Sequence, residues 1–110
     1  MARLFYFPAE ALKTYMLRYF QRWQVPEADA AIAAEILLSA DMRGVDSHGI
    51  IRLNTYYGVR LRKGILNPHT ILSTLRETPT SLALDGGNGL GMVVGYHAMQ
   101  RTIDTEEFTA

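Results

Sequence analysis

Apolar residues return at three- and four-residue steps from Pro8 to Trp23: Leu12, Tyr15, Met16, Tyr19, Phe20 and Trp23. That spacing lines up one face of an α-helix and predicts an aromatic stripe turned toward a core. Pro8 suits the first turn, where its missing N–H breaks no hydrogen bond. A second helix is expected in "PEADAAIAAEILLSADMRG", with Pro26 and Glu27 at its start and Gly44 as a left-handed stop. Its alanines let neighbouring helices approach closely, and the short link around Gln24 and Val25 sets the two helices antiparallel. A third helix is read from His48 or Gly49 to about Lys63, with Asp46 and Ser47 as cap types and Gly64 as the exit. Arg60, Arg62 and Lys63 then fall at the negative end of its dipole, an ordinary place for a solvated basic cluster.

After Gly64 the pattern changes. "GILNPHT" reads as a loop, because Asn67-Pro68 discourages helix. "TILSTLRE" and "TSLALD" have the β-branched and leucine-rich character of two short strands around Thr78-Pro79. "GGNGLG" and a helix from Gly91 to about Ile103 follow, and the polar "DTEEFTA" leads nowhere. The fold class expected is α+β: an N-terminal antiparallel helical bundle over residues 1–66, then the first two strands and one helix of an incomplete α/β cofactor domain over 67–110. Two strands and a helix leave sheet edges uncovered, so the chain is expected to be part of something longer.

Composition narrows the class. At 110 residues, 48% hydrophobic and 20% charged, the chain has the make-up of a globular domain rather than a disordered one. Eleven basic and eleven acidic residues cancel, which removes any global pull toward nucleic acid or an anionic membrane. With no cysteine there are no disulfides, thiolate metal sites or cysteine nucleophile, and a reducing compartment suits such a chain. The opening "MARLFYFPAEALK" lacks the apolar core and cleavage site of a secretory leader, and no apolar run reaches a membrane span. The expected location is the cytoplasm.

The chemistry concentrates in "RGVDSHGIIRLNTYY". On a helix, residues four apart are rotated by only about 40°, so His48, Arg52 and Tyr56 would share one side and reach one cleft. Ser47 at a helix N-terminus would sit among unpaired N–H groups that attract anions. Arg52 can grip a carboxylate with two charge-assisted bonds, and His48 titrates near neutrality and can pass a proton. Together they suit a small acid with a neighbouring carbonyl or hydroxyl. The plain alternative makes Ser47 a cap, His48 a first-turn polar residue, Arg52 a surface charge and Tyr56 a packing residue. A serine-hydrolase reading is weaker, since adjacent residues on a helix point about 100° apart and no nucleophile elbow is present.

The stretch "ADMRGVDSHGIIRLNTYYGVRLRKGIL" resembles the signature of the type-2 malate/L-lactate dehydrogenase family, NAD(P)-dependent 2-oxo acid reductases built without a Rossmann fold. The similarity extends back through the first two helices and onward through "SLALDGGNGLGMVVGYHAM", thinning after about Ile103. The resemblance implies that His48 is the proton donor to the substrate carbonyl and that Ser47 joins the relay orienting it. It implies that Arg52 binds the substrate carboxylate and leaves the role of Tyr56 open. It further implies NAD or NADP as cofactor, a homodimer, and a small 2-hydroxy or 2-oxo acid such as malate or lactate as substrate. The cofactor-binding stretches and the acidic residue completing the relay are expected beyond Ala110, so these residues alone should be inactive.

Other readings are bounded by the same residues. "LALDGGNGLGMVV" suggests a dinucleotide fingerprint, but Met92 or Val94 stands where its third glycine belongs. Those glycines are read as a tight turn with close helix–sheet packing, and Asp85 as a turn or cap residue. His69 and His97 have no partner at metal-ligand spacing and are read as structural, and no metal is expected. A helix-turn-helix module with "IIRLNTYYGVRLRK" as recognition helix lacks a basic arm and net positive charge. A non-catalytic remnant that folds only with a partner is the remaining alternative.

Overall fold

Proline opens both long helices. Pro8 and Pro26 each stand one residue before a helix, α1 over Ala9–Arg22 and α2 over Glu27–Met42, where a fixed φ and a missing donor do no harm. The computed structural model describes residues 5–104; Met1–Leu4 and the polar tail from Thr105 onward lie outside the described residues. Between the helices Gln24 takes a left-handed φ of 71°, and the N–H of Val25 donates back to the Phe20 carbonyl, reversing the chain in four residues. The helices pack antiparallel as expected, and Lys13 near the start of α1 meets Glu35 in the second half of α2 at 2.7 Å. That contact raises the Lys13 pKa, first through the hydrogen bond and then through the Glu35 charge.

Met16 and Phe20 are the buried residues of α1, and Ala30, Ala33, Ala34, Leu37 and Leu38 are those of α2. Small side chains on α2 let α1 and a later helix both pack against it, which is what an alanine-rich face permits. Of the predicted stripe, Leu12, Tyr19 and Trp23 lie against this core and Tyr15 does not: it is 59% exposed. Three- and four-residue spacing defines a face wider than the contact that α2 covers.

Beyond Gly44 (φ 78°) a short 3₁₀ turn spans Asp46–His48, a π-helical turn spans Leu53–Gly58, and one α-helical turn, α3, spans Val59–Arg62. Gly64, at φ 73°, ends it. The expected unbroken helix from His48 or Gly49 is therefore corrected: a 3₁₀ turn ends at His48, and the helix resumes only at about Arg52–Leu53, opening with a wide turn. Gly49 is the break, with φ −99° and ψ −141°.

Strand β1, Ser73–Thr78, pairs antiparallel with β2, Ser81–Asp85, around Thr78-Pro79-Thr80-Ser81. A one-residue bulge at Leu75 shifts the register between Thr74 and Arg76. No residue of β1 is fully buried and Leu75 is 68% exposed, so the hairpin is uncovered on the described residues. Helix α4, Gly91–Asp104, packs on α2, and His97 Nε2 stands 3.4 Å from Asp29 Oδ1 across that contact. Over the described residues the structure is thus α+β, four α-helices with a two-stranded antiparallel sheet. No described helix is long and apolar enough to cross a membrane.

Candidate functional site

Asp41 builds the site before any of the expected residues do. It lies in the last turn of α2, where an acidic residue opposes the helix dipole and α2 supplies no basic side chain. Its carboxylate instead reaches forward and accepts the Ile50 N–H at 2.8 Å. A Cβ at Gly49 would overlap that carboxylate, so only glycine lets it pass. Asp41 thus supplies the acceptor that the sequence suggested for Asp46 or Ser47, and the Ser-His-Gly segment is pulled into a turn rather than a helix. Gly49→Ala is accordingly expected to destabilise the protein by about 1–3 kcal/mol, the usual cost of forcing atoms into filled space. A denaturant midpoint equal to the parent's would mean that the carboxylate moves aside freely.

Ser47 caps no helix, and the anion site expected at a helix N-terminus is not formed there. Its two oxygens have other partners. The hydroxyl lies 2.8 Å from His48 Nδ1, and the backbone carbonyl accepts Arg52 Nε–H at 2.8 Å. Through one serine, the imidazole and the guanidinium are held on the same exposed turn. The i, i+4 argument that placed His48 beside Arg52 fails, because His48 precedes the helix; the two are brought together through Ser47 instead.

Arg52 and Tyr56 do share a helical side: the guanidinium carbon is 5.4 Å from the Tyr56 ring centroid. Arg60 stacks more closely, at 3.7 Å, and donates through Nη1 to the Tyr56 carbonyl at 3.3 Å. Of the basic trio, Arg60 is therefore placed on an aromatic ring, while Arg62 and Lys63 are exposed. Tyr57 turns the other way, edge-on to Phe20 at 6.1 Å, and burial pushes its phenol pKa up, aided by Tyr56 and opposed by Arg52. The π turn is anchored from α1: Tyr19 donates to Asn54 Oδ1 at 2.6 Å, and a Cβ at Gly58 would collide with the Tyr19 hydroxyl.

Two grooves flank the first helix pair. One groove of about 660 Å³ runs along the outer face of α1; another, of about 830 Å³, lies between Phe5–Phe7, α1 and the end of α2. Asp41, Asp46 and Ile50 border the second, but His48, Arg52 and Tyr56 line neither.

The glycine turn behaves as a turn. Gly87 N–H donates to Asp85 Oδ1 at 2.8 Å, and Gly87 and Asn88 both have φ of 59°. The space a Cβ would take is filled by Val94 at Gly86 (2.9 Å) and by Thr70 at Gly89 (2.5 Å). The turn is closely packed at both glycines. Among the described residues no group of three or more His, Cys, Asp or Glu is placed to hold a metal, and His97 serves the α2–α4 contact.

Asp41 and Arg60 are the members that sequence reasoning missed. An acid in the unfavourable last turn was the available signal for Asp41; a second arginine four residues beyond Tyr56 was the signal for Arg60.

The model of a family described as malate/L-lactate dehydrogenase matches residues 7–108. Malate dehydrogenase of Pyrococcus abyssi is 41% identical over 97 residues, 88% of this chain and 26% of that protein. L-sulfolactate dehydrogenase of Methanocaldococcus jannaschii is 37% identical over 91 residues, 83% of this chain and 26% of that protein. Among solved structures, malate dehydrogenase from Entamoeba histolytica superposes with a TM-score of 0.90 at 34% identity, covering 96% of this chain and 29% of that one. Malate dehydrogenase from Pyrococcus horikoshii OT3 gives 0.87 at 39% identity, covering 91% and 28%. The chain spans about a quarter of the length of the curated relatives it matches.

Proposed function

Because this chain belongs to the malate/L-lactate dehydrogenase family, we propose that it forms the proton- and carboxylate-handling part of an oxidoreductase acting on small 2-hydroxy or 2-oxo acids. The observation carrying this reading is Ser47, whose hydroxyl meets His48 Nδ1 while its carbonyl holds Arg52 Nε. With Nδ1 engaged, His48 Nε2 is the nitrogen left to donate a proton to a substrate carbonyl or to take one from a hydroxyl. With Nε engaged, the two Nη groups of Arg52 remain to grip the carboxylate next to that carbon. Ser47 fixes the imidazole's orientation, and Asp41 fixes the backbone that follows it.

The family implies a nicotinamide, NAD or NADP, which supplies or accepts the hydride when bound. The described residues do not fit it. Their glycine turn is filled by Val94 and Thr70, and neither groove is bordered by His48 or Arg52. In this reading residues 1–66 carry the helical part of the site, and 67–110 begin a domain whose cofactor cradle lies elsewhere in the protein. Homodimeric assembly belongs to the same reading, supported by the exposed Ile71, Leu75, Tyr96, Met99 and Ile103, which need cover. A cytoplasmic location is supported by the cysteine-free composition.

The test is a turnover assay on the complete protein that carries these residues. Oxaloacetate or pyruvate is expected to drive oxidation of NADH or NADPH, whereas residues 1–110 by themselves should give none. Failure of the complete protein to oxidise either nucleotide with any small 2-oxo acid would overturn the reading.

A further inference from the structure

In an uninterrupted α-helix, four residues overshoot one turn by about 40°, so positions i, i+4 and i+8 drift around the axis. A π turn bonds five residues back and is wider, so four residues fall short of a full turn. The Leu53–Gly58 π turn lies between Arg52 and Arg60, and its shortfall offsets the drift of the α turn that follows. The outcome is a ladder in which both guanidiniums stand on one ring, Arg52 at 5.4 Å and Arg60 at 3.7 Å from the Tyr56 centroid. Their separation cannot exceed the sum of those two distances. Two like charges brought this near each other repel, an opposition that the ring's attraction for each cation offsets in part and that an anion between or beside them would relieve.

Arg60 gives one of its five donors, Nη1–H, to the Tyr56 carbonyl. Stacking on the ring fixes the plane of the fork, which prepares the rest of it for a second carboxylate at low entropic cost. The wide turn itself is locked from outside by Tyr19, which bonds Asn54 and occupies the space beside Gly58. This geometry is built rather than incidental.

We infer that Arg60, carried on Tyr56, is a specificity-determining residue that takes the distal anionic group of a doubly charged 2-oxo acid while Arg52 holds the carboxylate beside the reacting carbon. Tyr56 is the positioning residue between them. A four-carbon diacid offers one carboxylate to each guanidinium through charge-assisted hydrogen bonds of about 2.8 Å. A monoacid such as pyruvate engages Arg52 alone. The inference rests on the function proposed above.

The test compares kcat/KM for oxaloacetate and pyruvate in the complete enzyme and its variants. In Arg60→Ala the oxaloacetate value should fall about 10- to 100-fold, mostly through KM. The pyruvate value should stay within about threefold, which serves as the control for folding. Arg60→Lys should recover part of the loss, Tyr56→Phe should keep the preference, and Tyr56→Leu should weaken it. An unchanged oxaloacetate-to-pyruvate ratio in Arg60→Ala, or a parent enzyme that favours pyruvate, would overturn the inference. If the ratio is unchanged while His48→Ala abolishes turnover of both acids, only this inference falls. If the parent reduces neither acid, the underlying reading falls with it.

Discussion

His48→Ala in the complete protein is expected to lower kcat about 10²- to 10⁴-fold for every 2-oxo acid it reduces, the usual contribution of a positioned proton donor. KM should change little, because the proposed carboxylate grip is that of Arg52 and the Arg52–Ser47 contact does not pass through the imidazole. The loss should appear in both directions of the reaction, since the group that gives the proton to a carbonyl must take it back from the alcohol. Undiminished kcat would remove the proton-donor assignment whatever the geometry at Ser47.

Arg52→Ala should act on the other kinetic parameter. Losing a two-pronged contact to a carboxylate that stays desolvated costs about 2–4 kcal/mol, which is roughly 30- to 1,000-fold in kcat/KM and appears mainly as a higher KM. A smaller fall in kcat should accompany it, because Arg52 Nε also holds the Ser47 carbonyl and thus the turn that presents His48. Arg52→Lys is expected to keep the charge but recover little, since an ammonium cannot serve the serine carbonyl and a carboxylate with one rigid fork. A KM equal to the parent's in Arg52→Ala would assign the carboxylate to another cation. The two variants separate cleanly: one removes proton transfer from a bound acid, the other removes the binding.

The features legible in the sequence are those set by local chemistry. Gly44 read as a left-handed stop and Gly64 as a helix exit, and both adopt the positive φ that few other residues take. Thr78-Pro79 read as a turn between strands, and α4 began where the glycines ended. What could not be read depends on pieces of chain distant in sequence. The break at Gly49 exists because Asp41, nine residues back, claims the Ile50 N–H. The wide turn at Leu53–Gly58 is held by a tyrosine 35 residues upstream of its Asn54 partner. Spacing rules assume a regular helix, so they brought His48 to Arg52 by a route that the molecule does not use, and they left Arg60 in solvent. The candidate residues were read from side-chain chemistry; the geometry of Ser47, His48 and Arg52 comes from contacts that spacing does not encode.

On the proposed reading, the hydroxyl of Tyr19 gives the amino-terminal helix pair a part in selecting substrates. It belongs to the scaffold by its packing near Phe20 and to the reactive surface by its bond to Asn54. Whatever tilts α1 against α2 therefore re-spaces the cationic rungs, although no residue of either helix need touch the acid. Over evolutionary time, repacking the scaffold offers such a protein a way to retune its preference while leaving serine, histidine and arginine in place.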